Sequence, residues 1–194
     1  MGVSLEKGAN VSLTKEAGGN LTGVTVGLGW DPRATSGEDF DLDASAFIVD
    51  ASGKVPSNDW FVYFNNLKSP DGTVVHTGDN LTGDGDGDDE SINIDLANLP
   101  PTIEEIVIPV TIFKAKERGG QNFGGVDNAF IRVCDQTGRE LARYDLGEEF
   151  ALEEAVIFGK VYRKDGEWKF KAVGQGFNDG LDGLCRTYGV GVTA

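Results

Sequence analysis

The chain has 194 residues, 39% of them hydrophobic, enough for one sizeable core and too few for two independent ones. Its 32 acidic residues against 17 basic ones leave a net charge of −15, which repels a phosphate backbone and an anionic membrane surface alike and sets nucleic acid aside as a partner. No stretch approaches the ~18 apolar residues of a membrane span, and the N-terminus lacks the basic and apolar regions of a signal peptide, so a single soluble, cytoplasmic domain over residues 1–194 with no membrane insertion is expected.

Short runs of β-branched and aromatic residues recur along the chain, each bounded by turn chemistry. In Val24-Thr-Val26-Gly-Leu28-Gly-Trp30 the even positions are apolar, the pattern of a strand with one buried face. Further strands are expected over residues 44–49, 60–64, 73–76, 92–96, 106–113 and 129–134. Ala51-Ser-Gly53-Lys and Gln136-Thr-Gly138-Arg read as turns. The clearest hairpin joins residues 156–163 to 167–173 through Lys164-Asp165-Gly166, because Asp-Gly supplies the positive φ angles of a primed turn. Trp168, Phe170 and Ala172 would then share the packed face, with Glu167, Lys169 and Lys171 on the solvated one. Phe177, Leu181, Leu184 and Tyr188 fall on one helical face and Gly189 is placed to cap it, although Gly180 and Gly183 weaken the helix. The chain is therefore mostly β with a C-terminal helix. Cys134 and Cys185, 51 positions apart with no CxxC partner, read as core thiols.

The acidic residues are not spread evenly. Asp39-Phe-Asp41-Leu-Asp43 alternates carboxylates with apolar side chains, so an extended segment buries Phe40 and Leu42 and presents all three carboxylates on the other face. Like charges drawn toward low dielectric need a counter-charge. The second element, residues 79–90, runs Asp79-Asn80-Leu-Thr-Gly-Asp84-Gly-Asp86-Gly-Asp88-Asp89-Glu90, with no Lys or Arg to interrupt it. Hard oxygen donors on a glycine-containing loop suit Ca²⁺, which takes 6–8 oxygens, often one carboxylate bidentate, and Glu90 is the candidate for that role. The spacing from Asp84 imitates the start of an EF-hand, but Asp89 stands where that loop needs Gly and the flanks read as strands. Mg²⁺ prefers a rigid octahedron with retained waters, and Zn²⁺ would find one His and two distant cysteines. A strand end offers few oxygens and the longer loop more than one ion needs, so a composite cluster of about two ions shared between the segments is expected.

Catalytic signatures are missing. His76, the only histidine, sits in an expected strand and reads as structural, and neither a GxxxxGK[ST] loop nor a strand–GxGxxG–helix turn is present. Gly119-Gly-Gln-Asn-Phe-Gly-Gly125 resembles a phosphate cradle only in its glycines and reads as a bulged loop. A crowd of carboxylates also fits metal binding better than a glycosidase pair. The expectation is a non-enzymatic protein.

Gly29-Trp-Asp31, Asp41-Leu-Asp43-Ala-Ser-Ala-Phe47, His76-Thr-Gly-Asp79-Asn80 and Gly85-Asp-Gly-Asp-Asp-Glu90 together resemble the TerD family of tellurium-resistance and chemical-stress proteins. The likeness continues through Gly120-Gln-Asn-Phe, Asn128-Ala-Phe-Ile-Arg132, Ala142-Arg-Tyr-Asp-Leu146, the run Gly166 to Gly176 and Cys185-Arg-Thr-Tyr-Gly189. It implies a β-sandwich with few short helices and calcium binding at two neighbouring sites without catalysis. It carries Asp41, Asp43, Asp79, Asn80, Asp88, Asp89 and Glu90 over as ligands, then Asp84 and Asp86, with the roles of Asp31 and Asp39 open. It also implies partners among other proteins of the stress-resistance system, including membrane proteins. Two alternatives from other classes are a calcium-dependent carbohydrate-binding sandwich, with an aromatic such as Trp60 stacking on sugar, and a small-molecule sensor of cyclic nucleotide.

Overall fold

A computed structural model describes residues 2–32, 37–83, 87–147, 150 and 152–191. In chain order the strands are β1 (Val3–Ser4), β2 (Asn10–Ser12), β3 (Val24–Asp31), β4 (Leu42–Ala44), β5 (Ala46–Asp50), β6 (Phe61–Val62) and β7 (Val74–His76). They continue as β8 (Glu90–Ile94), β9 (Ile103–Ile112), β10 (Asp127–Asp135), β11 (Glu140–Asp145), β12 (Ala155–Lys164) and β13 (Glu167–Phe177). Two helices, α1 (Leu13–Glu16) and α2 (Gly180–Tyr188), and two short 3₁₀ turns, Asn58–Trp60 and Phe123–Gly125, complete the described elements, and no helix is long and apolar enough to cross a membrane.

The strands form two sheets. One runs β1-β11-β10-β3-β8-β7 and the other β2-β13-β12-β9-β5-β6, with β4 also paired to β9. The even residues of β3, Val24, Val26, Leu28 and Trp30, join Leu42, Ala44 and Ile48 of the second sheet in one buried core between the layers. Period-two alternation drives this face-to-face burial, because each strand can hide its apolar face only against the other sheet. The mostly-β sandwich with a C-terminal helix is thus the observed architecture.

Local chemistry explains the elements. At the β12–β13 turn Asp165 and Gly166 both take positive φ, 55° and 75°, and Lys164 pairs with Glu167, the primed two-residue turn that Asp-Gly favours. Phe170 and Ala172 of β13 are fully buried, as the alternation requires. Helix α2 covers the outer face of the second sheet: Leu181, Leu184 and Tyr188 pack over Phe47, Phe61 and Ile157, and the Tyr188 ring stacks on Phe47 with centroids 4.8 Å apart. Gly189, with φ 77°, ends the helix as its left-handed cap. Both cysteines are free and buried.

Some expectations needed revision. The stretch 44–49 belongs to a longer run broken at Ser45, which faces Pro109 of β9; a proline supplies no N–H to the ladder, so Ser45 N donates to Pro109 O without a return bond. Residues 60–64 are not one strand, since Tyr63 and Asn66 close a tight turn on each other at 3.0 and 2.9 Å. Phe177 ends β13 rather than opening the helix. The polar strands β1 and β2 gave no apolar run and form by pairing to β11 and β13, while the unforeseen β11 pairs with β10 and buries Leu141, Ala142 and Tyr144 in the core.

Candidate metal centre

The first acidic segment enters β4 along the sandwich edge. Phe40 and Leu42 are buried in the core, which turns Asp41 and Asp43 to the opposite face, and the ladder pairs Asp43 with Thr111 of β9. Asp41 and Asp43 nevertheless keep only 2% and 6% of their surface. The Phe113 N–H donates to Asp41 O at 2.9 Å, and Gln121 Nε2 donates to the carbonyls of Glu38 and Asp39 at 3.0 and 3.2 Å, so the 113–121 loop grips this segment.

The second segment leaves β7 after His76 and returns at Glu90, the first residue of β8. Asp79 is exposed, yet one carboxylate oxygen each from Asp41, Asp43 and Asp79 lie within 4.8 Å of one another. Oxygens sharing a cation at about 2.4 Å are separated by no more than about 4.8 Å, so this is ligand spacing for one hard ion. Glu90, 2% exposed, bridges the layers: Oε2 accepts from Ala44 N at 2.7 Å, Oε1 from Asn80 N at 3.3 Å, and His76 Nε2 lies 3.5 Å from Oε2. The other His76 nitrogen, Nδ1, accepts from Gly78 N at 3.2 Å, which ties the imidazole into the start of the acidic loop.

Trp30 joins the two segments. Its backbone N–H donates to Asp89 Oδ2 at 3.0 Å and its indole Nε1 to Phe40 O at 3.2 Å. Asn80 holds the loop's shape instead of facing the carboxylate group: its amide donates to Asp89 Oδ1 at 3.0 Å and its Oδ1 accepts from the N–H groups of Thr82 and Gly83, both at 3.2 Å. Gly83, at φ 74°, lies so close to the indole that a Cβ would sit 2.4 Å from Nε1.

The electrostatics are those of a site short of positive charge. Burial pushes the Asp43 carboxyl up to about 8, and the neighbouring Glu90, Asp41 and Asp79 charges push in the same direction. Burial also raises Asp41, against the pull of Arg118, whose Nη2 lies 3.2 Å from Asp41 Oδ2. Burial raises Glu90 too, offset by the His76 contact and the two backbone donors. Asp41 Oδ1 is buried and has no hydrogen-bond partner among the described residues. An all-oxygen donor set with a spare buried lone pair fits Ca²⁺ in type and spacing.

The remaining expected ligands fall elsewhere. Asp88 lies on the outer face of the first sheet, over Gly27, where its Oδ1 accepts from Arg132 Nε at 2.8 Å. Asp31 accepts from Asn128 Nδ2, and Asp39 is exposed. Asp84 and Asp86 lie outside the described residues. Trp30, Arg118 and Gln121 were missed as site-building residues; only Trp30 offered a signal, as an indole at a strand end that needs a partner for its N–H.

Fold and site together define a β-sandwich that carries a carboxylate cluster, two members buried and one exposed, assembled from two acidic segments. The chain belongs to the TerD family: residues 1–188 match the TerD domain. It is 54% identical over 191 residues to the tellurium resistance protein TerD of Serratia marcescens, covering 98% of each chain. It is 48% identical over 194 residues to general stress protein 16U of Bacillus subtilis (strain 168), covering 99% of this chain and 100% of that one. A crystal structure of a protein of unknown function superposes with a TM-score of 0.73 at 28% identity, over 89% of this chain and 99% of the other.

Proposed function

We propose that this family member is a cytoplasmic, non-catalytic calcium-binding protein of the tellurite and chemical stress response. The observation that carries the reading is the convergence of Asp41, Asp43 and Asp79, together with a buried Asp41 oxygen that has no hydrogen-bond partner among the described residues. One bound ion would take oxygens from these three, with Glu90 beside them. A second would draw on the 79–90 loop, giving the composite cluster of about two ions. Calcium would supply the positive charge that lets Asp43 ionise at neutral pH, and the chain's own part is to hold the carboxylates and exclude water. The relatives' names support the stress-response setting. Partner proteins of the same system would then respond to the cation-loaded surface.

Titrating Ca²⁺ into chelator-treated protein tests the reading by calorimetry and by melting temperature. A ligand selective for the native state stabilises it by RT ln(1+[L]/Kd), about 2.7 kcal/mol at a hundredfold excess over Kd. Binding with a rise in melting temperature is expected; no heat and no shift up to millimolar Ca²⁺ overturns it.

A further inference from the structure

Resting on the cation-site reading above, we infer that Arg118 is a positioning residue for the ion: it anchors Oδ2 of Asp41 and leaves Oδ1 for the cation.

Nη2 of Arg118 takes Asp41 Oδ2 at 3.2 Å, while Oδ1, in the same buried group, keeps no partner among the described residues. A carboxylate with one oxygen tied and one spare presents a fixed single donor. The main chain that carries the guanidinium is fixed: Arg118 N donates to Lys114 O at 2.9 Å, and both Gly120 N and Gln121 N donate to Ala115 O at 2.9 Å. The guanidinium Nε lies 3.9 Å from Glu38 Oε2. Lys114, Gly119 and Gly120 all take positive φ, 50°, 81° and 75°, which curls the loop tightly enough to bring position 118 back over Asp41. The guanidinium carbon also sits 5.4 Å from the centre of the Phe113 ring, and the Phe113 N–H holds the Asp41 backbone. One loop therefore fixes both the main chain and the side chain of this ligand.

The alternative is that Arg118 merely offsets repulsion among the carboxylates while no ion is bound. The two roles predict opposite signs. Removing a nearby positive charge strengthens cation binding by Coulomb's law. Removing the partner that orients a metal ligand weakens it, typically ten- to a hundredfold.

The experiment is calorimetric Ca²⁺ titration of the full chain as wild type, Arg118→Met and Arg118→Lys, with Eu³⁺ luminescence lifetimes counting waters on a bound probe ion. Expected is a ten- to hundredfold weaker affinity for R118M, an intermediate value for R118K, whose point charge lacks the planar fork, and an additional bound water in R118M. R118M binding as tightly as or more tightly than wild type, with an unchanged lifetime, overturns the inference and leaves the cation site standing. Wild type that binds no Ca²⁺ overturns both. Should R118M fail to fold by circular dichroism, R118K decides, since wild-type affinity there shows that charge alone suffices and overturns the positioning role.

Discussion

Glu90 and Ala44 are joined across the two sheets by a 2.7 Å hydrogen bond, the carboxylate of the first residue in β8 accepting from the backbone N–H of the last residue in β4. Oxygen Oε1 of the same carboxylate accepts from Asn80 N. One buried side chain thus holds both acidic segments in register through backbone donors.

Glu90→Gln removes half of that arrangement, because a carboxamide has one oxygen for two donors and turns its NH₂ toward the other. The expected cost is about 1–3 kcal/mol, the desolvation penalty of a buried donor left unmade. It is best read by urea denaturation at pH 6 in chelator. Asp43, held up to about 8, keeps its proton there, so relief of its repulsion with Glu90 does not mask the loss.

Asp43 also sets a pH dependence. Its folded-state value of about 8 stands above its ordinary 3.8, so between those limits the folded protein binds more protons than the unfolded chain. In the absence of cation the Asp43 contribution to stability is fully present below about pH 4 and is lost as pH rises through about 8. Urea denaturation of the cation-free protein from pH 5 to 8.5 should show that decline, and Asp43→Asn should flatten it. Ca²⁺ must displace the Asp43 proton, so its apparent affinity should rise over the same interval. At pH 7 the calorimetric heat should scale with the ionisation enthalpy of the buffer, as it does when ligands are deprotonated on binding.

Much of this centre was legible in the sequence, for identifiable reasons. The alternation through Phe40 and Leu42 already places Asp41 and Asp43 on one face, because strand geometry has period two. The Asp165-Gly166 turn and the Gly189 cap rest on backbone conformations that few residues adopt, so each could be read locally. Arg118 was illegible: it is 77 positions from Asp41, and nothing near it in sequence reveals where the 113–121 loop folds. Asp88 shows the converse. Its place in an acidic run suggests a ligand, but one step along an extended chain reverses the side chain, and Gly27 leaves a gap on the outer face that Asp88 and Arg132 fill. His76 was read as structural from its strand, and its contact with Glu90 depends on the pairing of β7 with β8.

Gly83→Ala tests the contact that seats the acidic loop on Trp30. The new methyl carbon would stand 2.4 Å from the indole Nε1, and φ 74° is unfavourable for any L side chain. Displacing the indole also breaks its bond to Phe40 O, so one substitution disturbs both segments. A loss of about 1–3 kcal/mol in stability is expected from strain and the broken bond. Weaker Ca²⁺ binding should accompany it, checked by urea denaturation and calorimetry. Trp30→Phe removes the indole N–H together with the five-membered ring of a buried side chain, so its loss combines the broken hydrogen bond, about 1 kcal/mol, with a cavity term.

Whether the two segments act as one centre is decided by a double-mutant cycle with Asp43→Asn and Asp79→Asn. In separate sites each change would abolish one binding event and leave the other untouched, and the free-energy losses would add. Carboxylates whose oxygens lie within 4.8 Å of one another would share an ion and their mutual repulsion, so the losses should not add. After the first ligand is removed the ion is already weakly held, and the second removal costs less than it does in wild type, with a coupling of about 0.5–3 kcal/mol. Calorimetric affinities of the four proteins give that coupling directly. Additive losses, with Asp43→Asn leaving one ion bound at its original affinity, would show that Asp43 and Asp79 belong to different sites despite their proximity.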